Sequence, residues 1–383
     1  MRIQLTSEQL ENRSRFGAFA EEHIAPLAAA SDRNGRIEMS VVKRLARERF
    51  LGSRVAVSFG GDGLDMISYG LLHEEFGKAC SSTRSLLTVH DMVCEAVERL
   101  GNENMREQWL PLLTSGERIA AFALTEPASG SDASSIATTA VLEGDEYLIT
   151  GKKTWISFAQ LADVFLLIAR DGEHGTMAGF LVPADTDGLV VRPISDILGL
   201  RGSMLGEVEL TECRVPASSR VGSPKMPAGL IVATALQLGR YSVAWGSVAI
   251  AEACVASSFR YSSRRYQFNV PIFEHQLIRA MLTEMLAETK AARLLCYEAG
   301  YLAQERKPDA VEATLIAKFF ASKAAARISA DAVQIHGANG VSKNYAVERH
   351  FRDARVMEII EGSTQIQQIT IPKYGLRSYS ENR

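Results

Sequence analysis

The residues best equipped for chemistry lie near the C-terminal end, in the stretch Glu358-Ile359-Ile360-Glu361-Gly362-Ser363-Thr364-Gln365-Ile366-Gln367. Glu361 stands directly before a Gly-Ser-Thr turn, after which a helical pattern starts. A helix start leaves backbone N–H groups without partners, and hydroxyls lie beside them, so the turn suits an anionic or polar ligand. Apolar neighbours such as Ile359 and Ile360 can raise the Glu361 carboxylate towards the range of a general base. The same placement also serves a structural end, a carboxylate offsetting the positive pole of a helix. Taken alone, the stretch leaves both readings open.

The remainder of the chain excludes several machineries. There is no G-x-S-x-G elbow, no phosphate-binding Walker loop and no H-E-x-x-H. His73-Glu74-Glu75 lacks a second histidine, so the seven histidines suggest no metal cage. No G-x-G-x-x-G opens a βαβ unit, which argues against a nicotinamide-dinucleotide fold. The five cysteines are scattered without a C-x-x-C, indicating neither a disulfide framework nor a zinc site. They read as small buried hydrophobes in a reducing compartment, and a cytoplasmic location is expected. Met1 to Leu5 lacks the apolar run of a signal peptide. The most apolar segment, 226–258, is interrupted by Gln237, Arg240 and Glu252 and reads as a buried helix, not a membrane span. A net charge of −3 gives no electrostatic case for nucleic acid.

These residues must be positioned by a chain of 383 residues, 46% hydrophobic and 23% charged, long enough for two or three domains sharing a large core. From Ser7 to about Gly116 the apolar spacing is helical, Phe16, Phe19, Ala20, Ile24 and Leu27 marking one face and Val41, Val42, Leu45 and Ala46 another. Phe59-Gly60-Gly61-Asp62-Gly63 reads as a turn between helices. Near Ile119 the period changes, and short strand-like runs follow, bounded by Gly and Asp turns: Thr138–Leu142, Tyr147–Thr150, Thr154–Phe158, Val164–Ala169, Ala178–Val182, Leu189–Arg192 and Gly206–Leu210. After Pro227 long helical patterns return, with Leu277, Ile278, Met281, Leu282, Met285 and Leu286 as a broad apolar stripe. The expectation is an α+β fold in three parts: an N-terminal helical domain (1–119), a middle antiparallel β-barrel or sandwich (120–222) and a C-terminal helical bundle (223–383).

Four motifs, in order, carry a resemblance. They are Ala123-Leu124-Thr125-Glu126-Pro127-Ala128-Ser129-Gly130-Ser131-Asp132; Gly151-Lys152-Lys153-Thr154-Trp155-Ile156-Ser157; Arg264-Arg265-Tyr266-Gln267-Phe268 with Glu274-His275-Gln276; and Gln334-Ile335-His336-Gly337-Ala338-Asn339-Gly340 leading through Arg352-Asp353-Ala354-Arg355 to Glu361-Gly362-Ser363. Over nearly its whole length the chain resembles the acyl-CoA dehydrogenase flavoproteins. The resemblance implies FAD, with Leu124 and Thr125 beside the flavin ring and Gly130 and Ser131 at its ribityl-phosphate side. Trp155 and Ser157, alternating with Ile156 on a strand, are expected to face the ring together. Arg265 and Gln276 would reach the FAD of a neighbouring subunit, Arg265 at its pyrophosphate, and Phe268 would also bind the cofactor. Gln334 and Ala338 would line the adenine end, and Ser363 and Gln365 the cofactor's own-subunit side. A homo-oligomer, dimer or tetramer, is implied. Glu361 occupies the position of the family's base, with Arg240 as its support; the minority alternative, a base directly before that arginine, is Gly239 here. Three departures from the usual pattern are Gly337-Ala338 for Gly-Gly, Phe268-Asn269 for Phe-Gly and Gly362-Ser363 for Gly-Thr.

A narrower resemblance rests on Leu86-Leu87-Thr88-Val89-His90-Asp91-Met92-Val93, Gly239 to Gly246 and Asp331 to Gly340. These look like the carrier-protein dehydrogenases that make hydroxymalonyl, methoxymalonyl and aminomalonyl extender units for polyketides, including antibiotics. That implies a short polar acyl unit on the phosphopantetheine of an acyl carrier protein, with Ser131, His90, Asp91 and Tyr241 as its polar contacts. An electron-accepting flavoprotein or oxygen would take the electrons. The alternatives are a catabolic acyl-CoA dehydrogenase, or a flavin-free scaffold of the same fold.

Overall fold

The computed structural model describes residues 4–172, 175–227 and 229–380. Its first part is helical: α1 (Ser7–Phe19), α2 (Ala28–Asn34), α3 (Met39–Arg47), α4 (Met66–Ala79), α5 (Ser81–Leu100) and α6 (Glu103–Thr114). Local chemistry fixes several starts. Thr6 and Gln9 form a reciprocal capping box on α1, Asp65 accepts from the N–H groups of Ile67 and Ser68, and Asn102 accepts from Met105.

The strands are β1 (Ala120–Ala123), β2 (Thr139–Glu143), β3 (Glu146–Ile156), β4 (Val164–Asp171), β5 (Met177–Pro183), β6 (Leu189–Pro193), β7 (Gly206–Pro216) and β8 (Arg220–Val221). They make one sheet in the order β6-β7-β3-β2-β4-β5-β8, with β1 added against β4. This corrects the expectation of an antiparallel barrel. The sheet does not close, and β4 pairs in parallel with both β1 and β2. The physical reason lies in β4, whose residues Val164–Ala169 are buried on both faces. Leu166 and Ile168 pack with α5 and α6 residues such as Val93 and Leu110, while Phe165 and Leu167 pack with Ile149, Phe180 and Val208 inside the curl of the sheet. A strand covered on both faces has no alternation of polar and apolar residues, and its partners need not be antiparallel. Two expected strands, Tyr147–Thr150 and Thr154–Phe158, are one: β3 runs through Gly151, with register shifts against β7 on either side of Gly151–Lys153.

The last part is α7 (Leu230–Arg264), a hairpin of β9 (Tyr266–Gln267) and β10 (Val270–Pro271), then α8 (Gln276–Gln304), α9 (Ala310–His336), α10 (Val347–Met357) and α11 (Thr364–Ser380). Helix α7 has the length and apolarity to cross a bilayer, but 72% of its most apolar window is buried, which makes it the central core helix. It lies against α4, α5, α8 and α9 at once. Small residues permit the close approach. A side chain on Gly70 or Gly77 of α4 would run into Trp245 or Ala249 of α7, and Tyr241 fills the space left by Gly300 of α8.

Candidate active site

Between α10 and α11 the chain reverses through two consecutive left-handed residues, Glu361 (φ +54°) and Gly362 (φ +91°). Left-handed backbone at a glutamate is costly and persists only where the surroundings hold it. They do so with four donors. Arg240 Nε donates to the Glu361 carbonyl at 3.2 Å and Lys318 Nζ to the Gly362 carbonyl at 2.7 Å. The buried Gln367 Nε2 bridges the Glu361 and Gly362 carbonyls at 3.4 and 3.2 Å. The Thr364 N–H donates to the Glu358 carbonyl at 2.9 Å.

So held, the Glu361 side chain turns towards α7. A Cβ on Gly239 would sit 2.5 Å from Glu361 Oε2, so the absence of a side chain at 239 makes room for the carboxylate. Oε2 is buried and has no hydrogen-bond partner among the described residues. Burial pushes the carboxyl up to about 7, against the opposing pull of Arg240, Lys318 and Arg84. An unbonded carboxylate poised near neutrality, beside cations that hydrogen-bond elsewhere, is the physical description of a general base.

A second group is set by a buried ion pair. Glu126 Oε1 accepts from Lys153 Nζ at 2.6 Å, and Glu126 also accepts from the N–H groups of Ala137 (2.6 Å) and Thr138 (3.0 Å). Burial alone would raise the Glu126 carboxyl, but these bonds hold it below its ordinary value; burial brings Lys153 down to about 8. Lys153 Nζ also donates to the Leu124 carbonyl, and the Thr154 N–H to the Thr125 carbonyl at 2.9 Å. The loop 124–132 is thereby fastened to the end of β3. Leu124 is buried, Thr125 half-buried, and Gly130 and Ser131 exposed, with open space at Gly130. Trp155 and Ser157 do not alternate on a strand as expected. Trp155 is left-handed (φ +59°), β3 ends at Ile156, and Ser157 lies in the following turn. The bulge presents an indole that is 58% exposed.

The third group lies at the far end of α7. A cleft of about 430 Å³ is lined by Arg260, Arg264 and Arg265, with Ser257, Tyr261, His336, Asn339 and Tyr345. Phe268 (88% exposed) and Asn269 form the two-residue tip of the β9–β10 hairpin with φ +54° and +63°. Asparagine tolerates this conformation, so Asn269 keeps the tight turn that glycine would make. Gln276, Gln334 and Ala338 are exposed nearby in the chain, at the start of α8 and the end of α9. Ser363 Oγ accepts from the Ile366 N–H at 3.4 Å and so caps α11, while Gln365 is exposed.

Three expected substrate contacts lie buried inside the protein. His90 Nδ1 accepts from the Ala120 N–H and Nε2 donates to the Leu113 carbonyl, both at 3.1 Å, joining α5 to α6 and β1; burial lowers it to about 4. Asp91 accepts from the Gly52 N–H at 2.8 Å, and burial raises it to about 8. Tyr241 Oη donates to the Met66 carbonyl at 2.8 Å. All three are buried core residues, which withdraws them as substrate ligands. Sequence reasoning missed Arg84, Lys318 and Gln367. The available signal was a cation within an otherwise apolar helical run, as in Ala317-Lys318-Phe319-Phe320.

Comparison with known proteins decides the family. Models for the N-terminal, middle and C-terminal domains of acyl-CoA dehydrogenase match residues 6–117, 121–213 and 229–375.

The chain belongs to the acyl-CoA dehydrogenase family.

It is similar to a probable acyl-CoA dehydrogenase, YngJ, of Bacillus subtilis, 37% identical over 98% of this chain and 100% of the relative. Among solved structures it resembles butyryl-CoA dehydrogenase from Megasphaera elsdenii, with a TM-score of 0.94, 32% identity and coverage of 98% and 100% of the two chains. It also resembles FkbI, for biosynthesis of the methoxymalonyl extender unit of the Fk520 polyketide, with a TM-score of 0.87, 31% identity and coverage of 96% and 99%. The protein is an oxidoreductase acting on CH–CH bonds, and its cofactor is FAD; one solved relative, a glutaryl-CoA dehydrogenase from Mycobacterium smegmatis 26% identical, is in complex with FADH2. The residues present fit such a group. The exposed Trp155 and the open loop at Gly130 offer an aromatic face and free backbone to a ring system. The arginines lining the cleft form no ion pair among the described residues, as a site for phosphate requires.

Proposed function

We propose that this acyl-CoA dehydrogenase family member oxidises a short polar acyl unit presented on the phosphopantetheine of an acyl carrier protein, with Glu361 as the base. The observation that carries the assignment of the base is the unpartnered, buried Oε2 of Glu361, facing Gly239. Bound FAD supplies the hydride acceptor. The chain's own work is to hold the acyl α-carbon at Glu361 Oε2, take its proton there and keep water away. Arg240 and Lys318 fix the turn through its carbonyls, so the carboxylate does not swing when its charge changes. Leu124, Thr125, Gly130, Ser131, Trp155 and Ser157 hold the flavin and ribityl side. Arg265, Phe268, Gln276, Gln334 and Ala338 serve the FAD of a neighbouring subunit, and Ser363 and Gln365 its own-subunit side. Ser131 is the remaining side chain offered to substrate from the original set.

An extender-unit substrate is supported by the likeness to FkbI over 96% of the chain, and carrier delivery by the resemblance carried by the Leu86–Val93 segment. A second reading, a catabolic acyl-CoA dehydrogenase, is favoured by the likeness to the Megasphaera enzyme. In either case an electron-transferring flavoprotein or oxygen takes the electrons. Anaerobic flavin reduction, with C4–C12 acyl groups and glyceryl-derived three-carbon units each offered on CoA and on a phosphopantetheinylated carrier, separates the two. Fast reduction by the three-carbon unit on the carrier supports carrier delivery; reduction by butyryl- or octanoyl-CoA alone moves the protein to the catabolic reading. A purified protein without yellow colour that takes up no FAD would instead be a scaffold.

A further inference from the structure

The end of α2 and the whole of α3 carry cations for which the fold has little use. Arg33, Arg36, Lys43, Arg44, Arg47 and Arg49 stand there against only Glu38 and Glu48, in a chain whose net charge is −3. All six cations are exposed, and none of their side chains has a hydrogen bond or ion pair among the described residues. Val41, Val42 and Leu45 turn into the core, so the solvent face of α3 is Met39, Lys43 and Arg47, one turn apart, with Ser40 and Arg44 beside them. The helix dipoles account for Arg33, Arg44 and Arg47, each in the last turn of its helix. They do not account for Arg36, Lys43 or Arg49. Arg49 even stands in left-handed backbone (φ +59°), where glycine or asparagine would cost less. Met39 gives this face an exposed apolar side chain among the charges.

Short, firm contacts join this face to the candidate active site. Asp32, beside Arg33, is held in a fork by Arg352 of α10 at 2.9 and 2.7 Å, and Arg352 precedes Glu361 by nine residues. Arg36 forms a backbone bridge with Ser203. The Ser203 carbonyl in turn accepts from the Phe158 N–H at 2.7 Å, directly after the Trp155–Ser157 turn assigned to the flavin. The adjoining Gly202 N–H donates to Ser82 Oγ at 3.2 Å, in the first turn of α5. The exposed apolar side chains of the β9–β10 hairpin, α8 and α11 lie on other elements. A face of free cations around a methionine suits an acidic protein held briefly. Rim charges speed encounter and reject wrong partners, and the thioether adapts to the surface it meets. An acyl unit arriving on a carrier protein needs such a face; one arriving on a small thiol does not.

We propose that the solvent face of α3, with the cations that flank it, is the docking surface for an acidic acyl carrier protein, Met39 meeting an apolar side chain of the carrier and the arginines and Lys43 its acidic ones. This rests on the carrier reading above and places its partner. The surface acts in encounter and binding; Glu361 remains the base.

The test follows anaerobic flavin reduction in the holoenzyme with glyceryl and butyryl units, each on an acidic phosphopantetheinylated acyl carrier protein and on free pantetheine. With the wild-type protein, the second-order rate for the carrier-borne unit should fall steeply as salt rises, while the rate for the pantetheine thioester stays flat. Lys43→Glu combined with Arg47→Glu should lower the carrier-borne rate by about 10- to 100-fold, with FAD content and the pantetheine rate unchanged. Lys43→Gln with Arg47→Gln should lie between. A carrier-borne rate indifferent to salt in the wild-type protein overturns the proposal, a comparison that needs no variant to fold. So does an equal loss with both thioesters, since the change then reaches the site instead of the partner. A double reversal that spares flavin reduction and slows only reoxidation by an electron-transferring flavoprotein assigns the face to the electron acceptor; the carrier reading then stands and this proposal falls. Wild-type reduction by pantetheine thioesters alone removes the carrier reading and this surface with it.

Discussion

At the residue scale, Glu361 combines a strained backbone, an unbonded carboxylate and a raised pKa, and each has a measurable consequence. Glu361→Gln keeps shape and removes proton acceptance, so flavin reduction in anaerobic stopped flow should fall by about 10²- to 10⁴-fold. In the wild-type protein the rate should rise with pH through about 7, because the base works when deprotonated. Stability should move the other way. The folded carboxyl holds its proton up to about 7 and the unfolded one only to 4.5, so unfolding releases a proton between these values and stability falls as pH rises through that window. Glu361→Gln is therefore expected to be more stable than wild type at pH 8 by about 1–3 kcal/mol and to lose that advantage at pH 4, measured by thermal melts of the holoprotein. Lys318→Met supplies a separate check. It removes a charge that lowers the Glu361 pKa and a donor to the Gly362 carbonyl, so the pH–rate profile should shift to higher pH while the rate falls. An unmoved profile would mean that Lys318 has no electrostatic hold on the base.

At the scale of elements, the site depends on one helix surface yielding to another segment. Gly239→Ala would place a methyl within 2.5 Å of Glu361 Oε2, and the carboxylate must give way. The rate should drop by about 10²-fold, as a misplacement of about 1 Å can produce, with little change in melting temperature. Moving the acid across the same contact, Glu361→Gly with Gly239→Glu, should recover at least about 10-fold over Glu361→Gln in flavin reduction, since glycine also suits the left-handed backbone at 361. No recovery would show that α7 cannot present a base to the acyl α-carbon. These contacts also show what the sequence could reveal. Helical spacing and the change of period near Ile119 disclosed the succession of helices and strands, because both are local. The pairing within the sheet was not legible: Val164–Ala169 is apolar at every position, so nothing in the run distinguishes parallel from antiparallel neighbours. His90, Asp91 and Tyr241 misled for a similar reason. A polar residue in an apolar helix can face a ligand or close a bond to a distant backbone group, and their partners Ala120, Gly52 and Met66 lie 30, 39 and 175 residues away. Glu361 was legible because the turn that bears it is written in adjacent residues. Arg84 and Lys318 were not, since their meaning comes from three-dimensional proximity to that turn.

At the scale of the whole molecule, a single chain carries surfaces that make sense only when covered. Phe268 at the tip of the β9–β10 hairpin is 88% exposed, Leu277 at the start of α8 81%, and Ile369 and Leu376 of α11 are exposed as well. An apolar side chain such as Phe268, standing free three residues beyond Arg265 of the arginine-lined cleft, is what an interface enclosing a phosphate-bearing ligand leaves when its partner is removed. We therefore expect a dimer or tetramer in which FAD is retained through contacts from two subunits. Arg265 is exposed at the cleft, so Arg265→Ala should not disturb the core, and an effect on flavin would come from the lost contact itself. Losing one charge-assisted contact to a phosphate should raise the FAD dissociation constant by about 10- to 100-fold. Leu277→Glu, by contrast, places a charge on the apolar rim without touching the arginines, and should dissociate the assembly. Size-exclusion chromatography with light scattering, recorded at 280 and 450 nm, reads both quantities in one run. Arg265→Ala should elute as the oligomer with reduced flavin absorbance, and Leu277→Glu as a smaller species that has lost its flavin. A monomeric Leu277→Glu protein with full flavin content would show that each chain completes its own site, and the shared-site assignment of Arg265, Phe268, Gln276, Gln334 and Ala338 would fall.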